Sequence, residues 1–236
     1  MTNSQFQAIG CLKAKVDFSE EPKLILIEKG QEFEYKLRYP RRFIKSWVAL
    51  KTAWEANPDQ TFNLIVYPRI IHFPDRDKKP LIYFELVAFN PASSDFVPGE
   101  FKLNGLWQFI AVCRTPVITI QKNFTEQRKE RIRSLDEVSK KRFLKGSHLP
   151  LMWRDALVSP FRFNPKAPKP VSDTPAQKPF FVSLKANFSP SCECFFFSAL
   201  LAPPLEEAPR FLKLPKQGNK PQAKSINNAD KPKNSV

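Results

Sequence analysis

Basic side chains supply most of the chemistry that this sequence offers. Between residues 38 and 51 stand Arg38, Arg41, Arg42, Lys45 and Lys51, with no acid among them and with Tyr39, Phe43 and Trp47 interleaved. A second run, from Lys122 to Lys145, includes Arg128, Lys129, Arg131, Arg133, Lys140, Lys141 and Arg142, against the acids Glu126, Glu130, Asp136 and Glu137. Two further arginines, Arg69 in Val66-Tyr67-Pro68-Arg69 and Arg114 in Cys113-Arg114-Thr115-Pro116, stand beside a proline at a strand end. Guanidinium and ammonium groups neutralise phosphates, and aromatic neighbours can stack on bases. An arginine in a loop can also grip a phosphate or a carboxylate with two parallel hydrogen bonds. The plainer alternative is that Phe43 and Trp47 belong to the core, while the charges solvate helix faces and pair with acids one turn away.

Catalytic material is sparse. The chain has no G-x-G-x-x-G, no G-x-x-x-x-G-K-[ST] and no G-x-S-x-G, so the standard phosphate loops and the nucleophile elbow are missing. His72 and His148 are the whole histidine complement, and each reads as a structural or surface hydrogen-bonding group. Pro74-Asp75 followed by Glu100-Phe101-Lys102 resembles a loose P-D…(D/E)-x-K nuclease signature, in which carboxylates hold a divalent metal beside a lysine. Asp75, however, lies in the charged turn PDRDKKP rather than on a strand. Cys11, Cys113, Cys192 and Cys194 have neither disulfide-framework nor zinc spacing, and they read as reduced, small apolar residues. No catalytic residue, metal or cofactor is expected.

The elements that must position these groups are mostly strands. The segments Phe6–Asp17, Leu24–Glu28 and Phe33–Leu37 mix apolar and polar positions as strands do, and Lys29-Gly30 suits a tight hairpin between the second and third. Pro40 ends the extended run. From Arg41 to Ala56, Phe43, Ile44, Trp47, Val48, Leu50 and Trp54 recur at helical spacing, and Asn57-Pro58 stops the helix. Phe62–Tyr67 and Leu81–Phe89 complete the order strand, strand, strand, helix, strand, strand. That is the order of an OB-fold, a small Greek-key barrel that often binds oligonucleotides.

Beyond it, Glu100–Ile110, Val117–Gln121, Phe180–Phe188 and Cys194–Leu200 read as strands, and Phe124–Phe143 as one charged helix. They suit either a second barrel-like lobe or one larger β-structure. Asn164–Pro179 is Pro-rich and reads as a linker. The fold class expected is therefore mainly β (α+β): an OB-like barrel over residues 5–92, a second β-rich lobe with a basic helix over 93–201, and a disordered basic tail over 202–236.

Composition bounds the rest. The 236 residues are 42% hydrophobic, enough for a real core, and Phe occurs 22 times, which favours pleated, half-buried surfaces. Lys and Arg total 38 against 23 acids, a net charge of +15, which implies a polyanionic partner. The opening residues do not resemble a signal peptide, and the longest apolar run, Cys194–Ala202, falls far short of the ~20 residues that span a bilayer. A cytoplasmic location and no membrane partner are the corresponding expectations.

The strings QAIGCLKAKVDFSEEPKLILIEKGQEFEYKL, NLIVYPR, GEFKLNGLWQFIAVCRTP and KGSHLPLMWRDA resemble a group of basic proteins from cyanobacteria, over about residues 6–200. The resemblance implies a lineage and a compartment but no mechanism, and it carries over no catalytic residue.

The sequence thus points to a non-catalytic protein that binds RNA or single-stranded DNA. Arg38, Arg41, Arg42, Lys45, Arg69, Arg114, Arg128, Lys129, Arg131 and Arg133 are the candidate contacts. Docking on an acidic protein surface or a large complex is the alternative from another class, and metal-dependent nuclease chemistry at Glu100 and Lys102 is the remote one.

Overall fold

The structure is a computed structural model that describes residues 5–90, 97–163 and 178–213. Strands hold 49% of the described residues and helices 19%, so β-pairing sets the architecture. The first five strands are β1 (Gln7–Asp17), β2 (Lys23–Glu28), β3 (Gln31–Arg38), β4 (Thr61–Ile71) and β5 (Leu81–Phe89). β1 pairs antiparallel with β2, β2 with β3, β5 with β4 and β4 back with β1, while β3 and β5 run parallel. The ring closes in the order 1-2-3-5-4, with α1 (Ile44–Ala56) between the third and fourth strands. This is the OB-like barrel that the element order predicts.

Local chemistry explains the pieces. On β2 and β3, Leu24, Leu26, Tyr35 and Leu37 are buried while their neighbours face outward. Lys29 and Gly30 both take positive φ, 52° and 79°, as a two-residue turn matched to strand twist requires. Pro40 leads into a single 3-10 turn, Arg41–Phe43, before α1 begins. Leu50 is the one fully buried residue of α1, and Trp47 and Trp54 pack half-buried against Phe18. Ile44 and Val48, read from sequence as part of the apolar face, are 48% and 56% exposed. The helix meets the barrel along a narrow line, so it buries fewer residues than its apolar pattern offers.

A second ring is formed by β6 (Glu100–Phe109), β7 (Pro116–Ile120), β8 (Ser147–Met152), β10 (Phe181–Ser189) and β11 (Cys194–Leu205), with the short β9 (Phe161–Arg162) alongside β6. β6 pairs antiparallel with β7, β7 with β8, and β10 with both β11 and β6, while β8 and β11 run parallel. The strand order repeats that of the first ring. Its helices, however, fall between the second and third strands.

β1 joins the rings. Its first residues, Gln7–Gly10, pair with Asn104–Phe101 of β6, and its next stretch, Gly10–Lys15, pairs with β4. Gly10 sits at this crossing, where a Cβ would come within 2.4 Å of the Phe101 ring and of the Glu100 carbonyl. One continuous core runs through both rings. Its aromatic spine links Tyr35, Phe84, Phe188, Phe101 and Phe195 at centroid distances of 5.1–6.5 Å. Each fully buried Phe contributes roughly 1.5–3 kcal/mol of burial, which accounts for much of the chain's use of this residue.

Three sequence expectations are corrected. The charged segment 124–143 is two helices, α2 (Glu126–Arg133) and α3 (Glu137–Leu144). Thr125 caps the first by accepting from the Arg128 amide at 3.2 Å, and Asp136 starts the second by accepting from the Ser139 amide at 2.9 Å. β8 went unread because Pro150 interrupts its apolar run. The tail begins later than residue 202: β11 continues to Leu205, Asn123 bridges to Phe211, and Leu212 is buried. Backbone pairing with β10 carries β11 to Leu205, and packing of Phe211 with burial of Leu212 keeps the following stretch on the body. Residues 214–236, and residues 164–177 of the expected linker, lie outside the described residues.

Candidate nucleic-acid interface

A cleft of about 600 Å3 opens where the two rings meet. Gln5 to Ala8, at the start of β1, line its floor. Arg42, Tyr67, Pro68 and Arg69 come from the first barrel, and Lys102, Asn104, Lys122, Asn123, Arg128 and Ser147 from the second ring. Five cations face this space, and among the described residues no carboxylate lines it. Among the described residues, Arg42, Lys102, Lys122 and Arg128 have no salt-bridge partner. Arg69 alone is paired: its Nε and Nη2 donate to Glu85 Oε2 at 3.0 and 2.9 Å.

Each cation is placed by identifiable local structure. Arg42 leaves the 3-10 turn and lies over the rings of Phe43 and Tyr67, at 4.6 and 5.8 Å, with Nη2 donating to the Tyr67 hydroxyl at 3.4 Å. Arg69 and Lys102 project from β4 and β6. Lys122 follows β7, and its carbonyl accepts from the Leu212 amide at 2.9 Å. Asn123 clamps β1 by accepting from the Phe6 amide and donating to the Phe6 carbonyl, both at 2.8 Å. Arg128 Nη1 donates to the Asn123 carbonyl at 3.0 Å.

Burial, with the nearby cations Arg69, Arg128 and Arg42 acting against the Glu85 carboxylate, pushes the Lys122 ammonium down to about 8. Its charge is therefore conditional on its surroundings, and an arriving anion favours the protonated form. Ser147 Oγ is buried and has no hydrogen-bond partner among the described residues. Next to it, His148 Nδ1 meets Thr119 Oγ1 at 2.9 Å, and Gln108 Nε2 donates to the same hydroxyl at 2.6 Å. Burial, with help from His72 and Lys145, lowers His148 to about 4, so it is a neutral structural group at pH 7. His72 Nε2 contacts the His148 carbonyl at 2.8 Å.

Of the sequence candidates, the cleft gathers Arg42, Arg69 and Arg128. The rest lie elsewhere. Arg38 covers Tyr83 at 4.8 Å, and Arg41 and Lys45 are exposed around α1. Arg114 donates to the Asp75 carbonyl at 2.8 Å, beside a separate, more apolar hollow. On α2, Lys129 pairs with Glu126, Arg131 faces the Phe143 ring and Arg133 is exposed. Lys102 and Lys122 were not singled out as contacts. Lys102 carries no signal of its own on its strand, and Lys122 is merely the first member of a long basic run.

The nuclease pattern does not assemble. Asp75 accepts from the Asp77 amide in its turn at 3.1 Å, while Glu100 pairs with Lys185 at 2.8 Å. Among the described residues there is no group of three His, Cys, Asp or Glu side chains placed to hold a metal ion. Of the cysteines, Cys11, Cys113 and Cys194 are buried, with Cys113 and Cys194 pushed up to about 11 by burial, and Cys192 is exposed. Among the described residues no helix is long and apolar enough to cross a membrane.

No protein-family model, curated protein or solved structure matches the chain. The cleft's own geometry is what its function must be read from.

Proposed function

We propose that the protein binds RNA or single-stranded DNA, without catalysis, in the cleft between its two rings of strands. The observation that carries this reading is the convergence of Arg42, Arg69, Lys102, Lys122 and Arg128 on a space that, among the described residues, no carboxylate lines. Bringing these cations together costs mutual repulsion, and an anion in the cleft offsets that cost. Tyr67 adds a half-exposed aromatic face beside Arg42, a combination suited to stacking a base next to a neutralised phosphate. The OB-like barrel is compatible with this use.

The test is binding of labelled oligonucleotides to the full chain over a salt series. The logarithm of affinity should fall linearly with the logarithm of salt, with a slope of roughly −0.7 per phosphate neutralised on a single strand. No affinity at low salt, or affinity indifferent to salt, would sink the proposal.

Docking on an acidic protein surface draws on a different patch. Ile44 and Val48 lie exposed one turn apart on α1, with Arg41 and Lys45 beside them. Replacing both apolar residues with Ser separates the two readings, because nucleic-acid affinity should not respond.

A further inference from the structure

We infer that the cleft takes the phosphorylated end of a strand, holding a terminal phosphomonoester rather than a phosphodiester in mid-strand; this rests on the nucleic-acid reading above. Size is the first reason. An OB-fold groove that tracks single strands covers about 4–16 nucleotides. This cleft, at about 600 Å3, matches instead the roughly 300–1,000 Å3 of small-ligand sites.

Charge is the second reason. A mid-strand phosphate carries one negative charge, whereas a phosphomonoester carries about −1.5 to −2 near pH 7. Four of the five lining cations have no carboxylate partner among the described residues, and a dianion answers that excess better than a single charge does. Hydrogen-bonding capacity is the third. A phosphomonoester presents three terminal oxygens, and the cleft offers the Arg42 and Arg128 guanidiniums and the Lys102 ammonium. Lys122, depressed to about 8 by burial and by its cationic neighbours, regains its full charge when a dianion settles beside it.

The experiment measures binding of the full chain to short oligonucleotides of one sequence in four forms: 5′-phosphorylated, 3′-phosphorylated, hydroxyl at both ends, and circular. Nucleoside monophosphate and inorganic phosphate serve as competitors. One phosphorylated form should bind about tenfold more tightly than the hydroxyl-ended and circular forms. That preference should disappear in Lys122→Met, and in Arg42→Gln, whose exposed position keeps the test valid if the first variant does not fold. Equal affinity for all four forms would overturn the end-specific inference and leave nucleic-acid binding standing. Absence of binding to any form overturns both. Direct binding of the mononucleotide, read by calorimetry, without oligonucleotide binding also overturns both, and makes the cleft a nucleotide site.

Discussion

Two concavities of similar size on this molecule carry opposite charge patterns. The cleft between the rings, about 600 Å3, is lined among the described residues by five cations and no acid. The pocket beside β2 and β3, about 530 Å3, sets Asp17, Glu20, Glu21 and Glu34 against Lys23 and Lys36. In that pocket both lysines are already engaged. Lys23 reaches Glu34 at 2.9 Å and Asp17 at 3.5 Å, and Lys36 pairs with Glu21. The β2–β3 face and the loop after β1 form the usual oligonucleotide surface of an OB-fold. Here acids neutralise that surface, while unpaired cations collect where the two rings touch. Net charge of +15 therefore says that a polyanion is welcome, but not where.

The comparison can be broken most directly by removing charge on each side of it. Arg42→Gln with Lys122→Met should weaken oligonucleotide binding at least about 100-fold, since each of the two charge-assisted contacts is worth roughly 1.5–3 kcal/mol. Lys23→Gln with Lys36→Gln should change it less than about twofold, because those lysines already face carboxylates. Fluorescence anisotropy at one salt concentration reads both, and equal losses would erase the distinction. Next in size is Tyr67→Ala, which should cost about 1–3 kcal/mol of affinity if a base stacks there. An unchanged dissociation constant would leave Tyr67 as a support for Arg42 alone.

The smallest expected effect is in pH. Lys122 is protonated below about 8 in the free protein and loses its proton above that value. Affinity should fall several-fold as pH rises through about 8 and on toward the unperturbed lysine range near 10.4. The same group makes folding more favourable over that window, because the unfolded chain still holds the proton there. Lys122→Met should flatten the binding profile in this range. The paired lysines beside β2 and β3 should leave it as it is.

Short-range patterns made much of the first barrel legible. Alternation marked β2 and β3, Lys29-Gly30 marked their turn, and Asn57-Pro58 marked the end of α1. These signals act over a few residues and depend little on what packs above them. The break between α2 and α3 was written there too, in Asp136 as a helix cap, but a continuous basic run masked it. β8 was harder, because a proline in a short apolar stretch argues against a strand, and only the pairing of Pro150 opposite Val117 of β7 makes it one.

By itself, then, the sequence determined a basic, strand-rich body with OB-like element order, and the placement of the prolines and turns that bound its elements. Tertiary structure decided the rest. Closure of the second ring depends on β6 pairing with β10 and β8 with β11, contacts between segments far apart in the chain that no local pattern encodes. The site depends on the same closure. Arg42, Arg69, Lys102, Lys122 and Arg128 stand on separate elements, and only the crossing at Gly10, where β1 leaves β6 for β4, turns them toward one space. The physical reason is that charge is counted along a chain, whereas a binding site is made by which charges the fold leaves unpaired and adjacent.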